Sequence, residues 1–536
     1  MIMRPRQTAQ PKASSVRVGP IALAKHHMRA FGRDEDGAIL PFSLIMFILM
    51  LMAGGMAIDL MRRENARVIL QNTVDRAVLA AADLDQLSDA EDVVNGYFDA
   101  AGLRQYLVDV DVDEGLNYRT VSAQTAAVLD MYFLNMVGIE TMTAPGASTA
   151  EERIQNVEIS LVVDISGSMG GSRMTNLKAA ANEFIDTVIS ATPPVANQVT
   201  GITSLSIIPY QAMVNIGDDL GGEFNLSNAH NFSQCVVFEY DDYLNTGITT
   251  TQTLDRMAHF ENSSRSNSPI TRPNCETGDT ESIIAFSVSR TDLKNKINAL
   301  SAGGNTAIDV GLKWGVALVD PAARGAINGL EDDDIIHTEL RDRPADYNDN
   351  ETLKVIVLMT DGQNTSQIDL KPEFKSGLSN VWWHEEDDRY SVYTPTWGDY
   401  WYPHSPSSYH NAPYKGSSES RRLSMAELFA RYSEGYIASH FFQTPDPNNQ
   451  YNDYRNAVTT IVGGTEADRR ARALCTQARN AGIVVFSIGF EAPTSGQNLM
   501  NDCAATPSHY FDVNGVEISE AFSAIARTIN QLRLTQ

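Results

Sequence analysis

The sequence predicts an α/β protein built on a doubly wound, mostly parallel sheet with long loop insertions, preceded by a single membrane-crossing helix and a small α/β stalk. Three observations carry this prediction. Apolar, β-branched runs such as Val157–Val163 and Leu353–Met359 alternate with segments of helical period, the pattern of βαβ units in a parallel sheet. Residues Ala38 to Ile58 hold no charge over a length that spans the roughly 30 Å hydrocarbon core of a bilayer. Between these two regions lie shorter helical and alternating stretches.

The chain has 536 residues and a formal charge of −26, enough for several domains or for one domain enlarged by insertions. Its first 37 residues hold seven Lys and Arg against Asp34, Glu35 and Asp36, so the acidity belongs to the rest. That balance argues against nucleic acid as a partner of the main body.

Residues 1–37 lack apolar period and read as a basic cytoplasmic tail. The span 38–58 reads as a membrane anchor. Its rivals are a core helix and a signal peptide cleaved near Ala53-Gly54-Gly55. The cations before the span favour a cytoplasmic N-terminus, with the C-terminal domain across the membrane, although Arg62, Arg63, Arg67 and Arg76 weaken the asymmetry.

Beyond the span, Leu70, Val74, Ala77, Val78 and Ala81 fall at helical spacing, so the helix is expected to continue as an amphipathic one to about Ala82. A second helix is expected over Ala90–Ala101 with Ser88 as its cap, then a strand from Tyr106 to Asp113, then a helix from Ala123 to Met136. These make up the membrane-proximal region, 59–155.

From Asn156 onward the alternation is regular. Strands are expected at 157–163, 201–209, 353–359 and 483–488, and helices around Leu177–Val188, Leu293–Leu300, Ala307–Leu318, Ala467–Asn480 and Glu517–Leu532. Segments of about 216–285, 321–350 and 365–460 break the pattern and read as insertions in the domain 156–536. The third holds Trp382, Trp383, Trp397 and Trp401. It reads as a self-packed cluster, with a partner or carbohydrate platform as the alternative. His384-Glu385 there is not an HExxH motif, because position 388 is Asp.

Cys235, Cys275, Cys475 and Cys503 show no CxxC spacing. An even set in an oxidising compartment suggests two disulfides, expected on sequence proximity as Cys235–Cys275 and Cys475–Cys503; four buried free thiols are the alternative.

The chemistry is expected where strands end. Asp164, Ser166 and Ser168 follow the first strand, Thr306 closes Gly303-Gly-Asn-Thr before a helix, and Asp361 follows the strand Leu353–Met359. Oxygen donors at the carboxyl ends of strands suit Mg²⁺, with Mn²⁺ or Ca²⁺ as alternatives, and not zinc.

These three segments, in this order, resemble the von Willebrand factor A fold and its metal-ion-dependent adhesion site. The resemblance implies that Ser166, Ser168 and Thr306 ligate the ion directly, that Asp164 and Asp361 act through water, and that an acidic group of a partner protein takes the open position. The string Asp34–Ile39 (DEDGAI), the apolar span, Asp59 and the run RVILQNTVDRAVLAAADLD resemble the Tad membrane segment of TadG-like proteins of tight-adherence (Flp) pilus systems. That resemblance implies a pilus assembly or adhesion factor, single-pass in a bacterial inner membrane, with pilus or Tad secretion components as partners. The fifth residue after Gly37 is Phe42 where a processed prepilin carries Glu, so no prepilin cleavage is expected.

A non-enzymatic binding role is therefore expected. The alternatives are an adhesin released by cleavage near Gly55 and a metal-dependent hydrolase, the latter opposed by the lack of GxxxxGK[ST], GxSxG and HExxH.

Overall fold

The computed structural model describes residues 39–83, 88–114, 118–153, 156–190, 201–349, 352–404, 407–443 and 450–535. The basic tail expected over 1–37 lies outside them. The chain divides into two compact units, one formed by residues up to Asp113 together with Arg119–Glu151, the other by Glu114–Tyr118 and Glu152–Gln536.

The first unit is built on α1 (Ile39–Ala82), a continuous helix of 44 residues and roughly 66 Å in length. Its first half exposes Leu40, Phe42, Ile45, Phe47, Leu49 and Met50; the described chain has one helix long and apolar enough to cross a membrane, and it is this one. Leu70, Val74, Ala77, Val78 and Ala81 in its second half are buried against α2 (Ala90–Ala101) and a three-stranded sheet, as their spacing predicts. The cap of α2 is Asp89 rather than Ser88: its carboxylate accepts the N–H groups of Glu91 and Asp92.

The sheet has the order β1 (Leu107–Glu114), β2 (Tyr118–Asp130), β3 (Thr141–Arg153). The expected helix from Ala123 to Met136 is thus a strand followed by a loop. Val121, Ala123, Thr125 and Ala127 are buried while Gln124 and Val128 are exposed, a period of two. Closely spaced alanines imitate a helical stripe, and pairing between two strands overrides that local preference.

The second unit centres on a six-stranded sheet of β4 (Asn156–Asp164), β5 (Thr203–Tyr210), β6 (Ile284–Ser287), β7 (Thr352–Thr360), β8 (Val484–Phe490) and β9 (Tyr510–Val513), in the order β9-β8-β7-β4-β5-β6. All neighbours are parallel except β5 and β6. The two edge strands, antiparallel β6 and parallel β9, lie outside the strands expected from the sequence, because four residues carry too little pattern.

Helices cover both faces. Val157, Ile159, Leu161 and Val163 of β4 pack with α3 (Ser172–Val188) and α4 (Arg290–Ala299), and the closing helix from Glu517 to Thr535 lies on that same face. Val162 points to the opposite face, which holds α5 (Ile308–Ala317), α6 (Gly464–Asn480) and α7 (Thr494–Cys503). Burial on both sides explains why these strands read as continuous apolar runs. Chain order runs outward from β4 to β5 and then back across to β7, so strand order reverses between β4 and β7.

The aromatic insertion folds as an antiparallel five-stranded sheet spanning Leu378–Ser424. Its rings pack mostly on one another: Trp382 meets Tyr400 edge-on, Trp401 lies 4.9 Å from Tyr409, and Trp383 is buried under the Arg431 guanidinium at 3.6 Å. Two disulfides join Cys235 to Cys275 and Cys475 to Cys503, the expected pairs.

Candidate metal centre

Three loops meet where β4 and β7 end side by side, with Val163 paired to Met359. Asp164 is the last residue of β4 and Thr360 the last of β7. A sheet that reverses its order at this point opens a crevice at the strand ends.

Backbone hydrogen bonds stitch the loops together. Gly303 N–H donates to Ile165 O at 2.8 Å, Gly167 N–H to Gly304 O at 3.1 Å, and Thr365 N–H to Thr306 O at 2.9 Å. The Asn364 side chain accepts the N–H of Ile308 at 2.7 Å, tying the third loop to the start of α5. Gly304 has φ +70°, a left-handed backbone that favours glycine, and a Cβ there would push aside the end of the Gln211 side chain.

The side chains converge within this frame. Ser166 N–H donates to Asp164 Oδ1 at 2.8 Å, and Thr360 Oγ1 donates to Asp164 Oδ2 at 2.7 Å. Ser166 and Ser168 hydroxyls lie 3.0 Å apart, and Ser168 Oγ donates to Asp361 Oδ1 at 2.7 Å. A Cβ on Gly362 would stand 3.5 Å from Thr306 Oγ1 and 3.9 Å from Ser168 Oγ, so these two hydroxyls flank the same small residue. All five residues named from the sequence come together.

Asp164, Ser166, Thr306 and Asp361 are buried, whereas Ser168 is exposed. The cluster therefore opens to solvent on one side. Burial pushes the Asp164 carboxyl up to about 6, and the negative charge of Asp361 adds to the rise against hydrogen bonds from Ser166 and Thr360. Burial also raises Asp361, opposed by the Ser168 hydrogen bond and by Arg173.

Arg173 is the residue that sequence reading missed. From the first turn of α3 its Nη1 donates to Asp361 Oδ2 at 2.8 Å and its Nε to Glu491 Oε2 at 2.8 Å. Its place three residues after Gly170 carries no recognisable spacing toward Asp361 or Glu491, so only the fold reveals the bridge.

The donor set is two carboxylates and three hydroxyls. Among the described residues no group of three or more His, Cys, Asp or Glu gathers to hold a metal. An all-oxygen, hydroxyl-rich set fits a hard cation that keeps part of its water shell, as Mg²⁺ does, and suits no soft metal. Two buried carboxylates whose ionised forms burial disfavours are what a bound cation would compensate. Beside the Gly303–Asn305 loop, a cleft of about 580 Å³ is lined by Gln211, Arg272, Asn274 and Glu276 among others.

Residues 37–84 match the family described as putative Flp pilus-assembly TadE/G-like. No curated protein matches the chain. Among solved structures, the vWF domain of the type V pili tip protein Mfa5 from Porphyromonas gingivalis aligns at 15% identity and TM-score 0.31, covering 72% of this chain and 97% of that one. A structure of three N-terminal domains of the same protein aligns at 14% identity and TM-score 0.30, over 78% of this chain and 56% of that one. The pilus adhesin SpaC from Lactobacillus rhamnosus GG aligns at 11% identity and TM-score 0.27, over 78% and 34%.

Proposed function

We propose that this chain, with its TadE/G-like segment at 37–84, is a membrane-anchored pilus assembly or adhesion factor that grips a protein partner through a divalent cation. The observation that carries the reading is the convergence of Asp164, Ser166, Ser168, Thr306 and Asp361 from three loops at the sheet's switch point. The site is of the von Willebrand A type. Ser166, Ser168 and Thr306 would hold Mg²⁺ through their hydroxyls, and Asp164 and Asp361 would hold its water. Bound there, the ion supplies a positive centre for a partner's carboxylate.

Binding rather than catalysis is favoured by the state of Asp164. Both of its oxygens already accept hydrogen bonds, from Ser166 and Thr360, and it is fully buried, so it braces the loops and is not poised to take a substrate proton. The apolar half of α1 is the anchor, in the inner membrane with the second unit in the periplasm, a location that also suits two disulfides. Pilus or Tad secretion components are the partners this reading points to.

The test is chemical cross-linking of the intact protein in envelopes, with Mg²⁺, with EDTA, and with Asp361→Ala. Partners captured only by the wild type with Mg²⁺ support the reading. The same partners in all three samples overturn it.

A further inference from the structure

The loop between β2 and β3 meets α1 near its middle, where the apolar half gives way to Asp59, Arg62 and Arg63. Arg119 Nη1 donates to Asp83 O at 2.8 Å, so β2 begins beside the far end of the helix. Midway, Thr125 Oγ1 donates to Gly146 O, and a Cβ on Gly146 would lie 3.4 Å from Gln71 N. At its other end, the Asp59 carboxylate accepts the N–H groups of Tyr132, Phe133 and Leu134 at 3.2, 2.7 and 2.9 Å. The strand therefore descends along α1, and residues 131–139 form its tip.

The helix itself supplies a depth scale. At 1.5 Å per residue, Asp59 stands roughly 30 Å from Ile39, one hydrocarbon thickness. Phe133 reaches below that level: a Cβ on Gly55 would lie 2.2 Å from Phe133 Cδ1, so glycine at 55 makes room for the ring. Residues 131–139 read MYFLNMVGI, without a charge, and Tyr132, Met136, Val137 and Ile139 are 66%, 66%, 50% and 43% exposed. Around them sit groups typical of a headgroup layer. The Arg62 guanidinium lies 4.2 Å over the Tyr132 ring, and Arg63 Nε donates to Thr143 O at 3.0 Å.

We infer that residues 131–139 form a second membrane contact, a wedge seated in the headgroup and upper acyl layer beside α1. The occupant of this apolar surface is lipid, because the loop is continuous with the apolar face of the helix, sits at bilayer depth, and carries a Tyr–Arg pair at its rim. Asp59 fixes the wedge to the helix, so the wedge resists rotation of the first unit about α1. The inference rests on the reading that α1 spans the bilayer.

The test uses the full chain in phospholipid vesicles. Its four native cysteines are paired, so one introduced thiol at a time takes an environment-sensitive fluorophore: Val137→Cys in the loop, Thr149→Cys near the far end of β3, and Met50→Cys inside the span. Lipids with a quencher high on the acyl chain should quench the Val137 probe at least about twofold more than the Thr149 probe, and the Met50 probe should be quenched by deeper labels. Quenching at Met50 with none at Val137 overturns the wedge and leaves the anchor standing. A blue-shifted Val137 probe that lipid quenchers do not reach means that protein, from this chain or a second copy, covers the loop, which also overturns it. No quenching at Met50 removes the anchor and the wedge together.

Discussion

The Ser168 hydroxyl donates to Asp361 Oδ1 at 2.7 Å, joining two loops that lie 193 residues apart in sequence. The other oxygen of the same carboxylate is held by Arg173 at 2.8 Å, and Arg173 in turn reaches Glu491. A cation entering beside Ser168 therefore shares Asp361 with a guanidinium. Arg173→Gln should tighten Mg²⁺ binding about three- to tenfold, since a positive charge a few ångströms away is removed but is partly screened by solvent. Calorimetric titration of both proteins decides this; weaker binding by the variant would show that Arg173 helps assemble the site.

The Cys475–Cys503 bridge ties α6 to the end of α7, closing 28 residues of sequence beside the core. Removing a cross-link of that loop length should cost about 3–4 kcal/mol by chain entropy. Denaturant unfolding of the Cys475→Ser/Cys503→Ser double variant should show a loss of that order, with Mg²⁺ binding retained, because neither sulfur lies in the metal loops.

Asp309 gives the fold a pH dependence separate from the metal cluster. It is fully buried in α5, where Gln367 Nε2 donates at 2.7 Å and the Tyr243 hydroxyl at 3.2 Å. Burial raises its pKa to about 6, against those hydrogen bonds and the charge of Arg470. The folded value exceeds the unfolded one, so the stabilisation from this group is complete below the ordinary value near 3.8 and is lost as pH rises through about 6. Asp309→Asn should gain up to about 3 kcal/mol at pH 7 relative to the wild type and lose this part of the slope between pH 4 and 7. Urea unfolding across that range measures it.

The four inner strands of the sheet and the five oxygen residues were readable because their signals are local. Val157–Asp164 and Leu353–Asp361 are apolar runs buried on both faces that end abruptly in polar loops, and cysteine proximity sufficed for both disulfides. What escaped depends on distant pairing. Ala123–Asp130 takes its strand form from β1 and β3, and its alanines alone suggest a helix. Arg173 has no meaning until the turn after β8 brings Glu491 beside it. The Trp-rich stretch showed its aromatics but not the five-stranded sheet that orders them.

The most direct test of the account is a calorimetric Mg²⁺ titration of the intact protein beside Asp361→Ala and Ser168→Ala. The account predicts one saturable site in the wild type, and binding weakened by at least about tenfold in each variant, the loss of one charge-assisted contact. A wild type that binds no divalent cation, or variants that bind as tightly as the wild type, would contradict it.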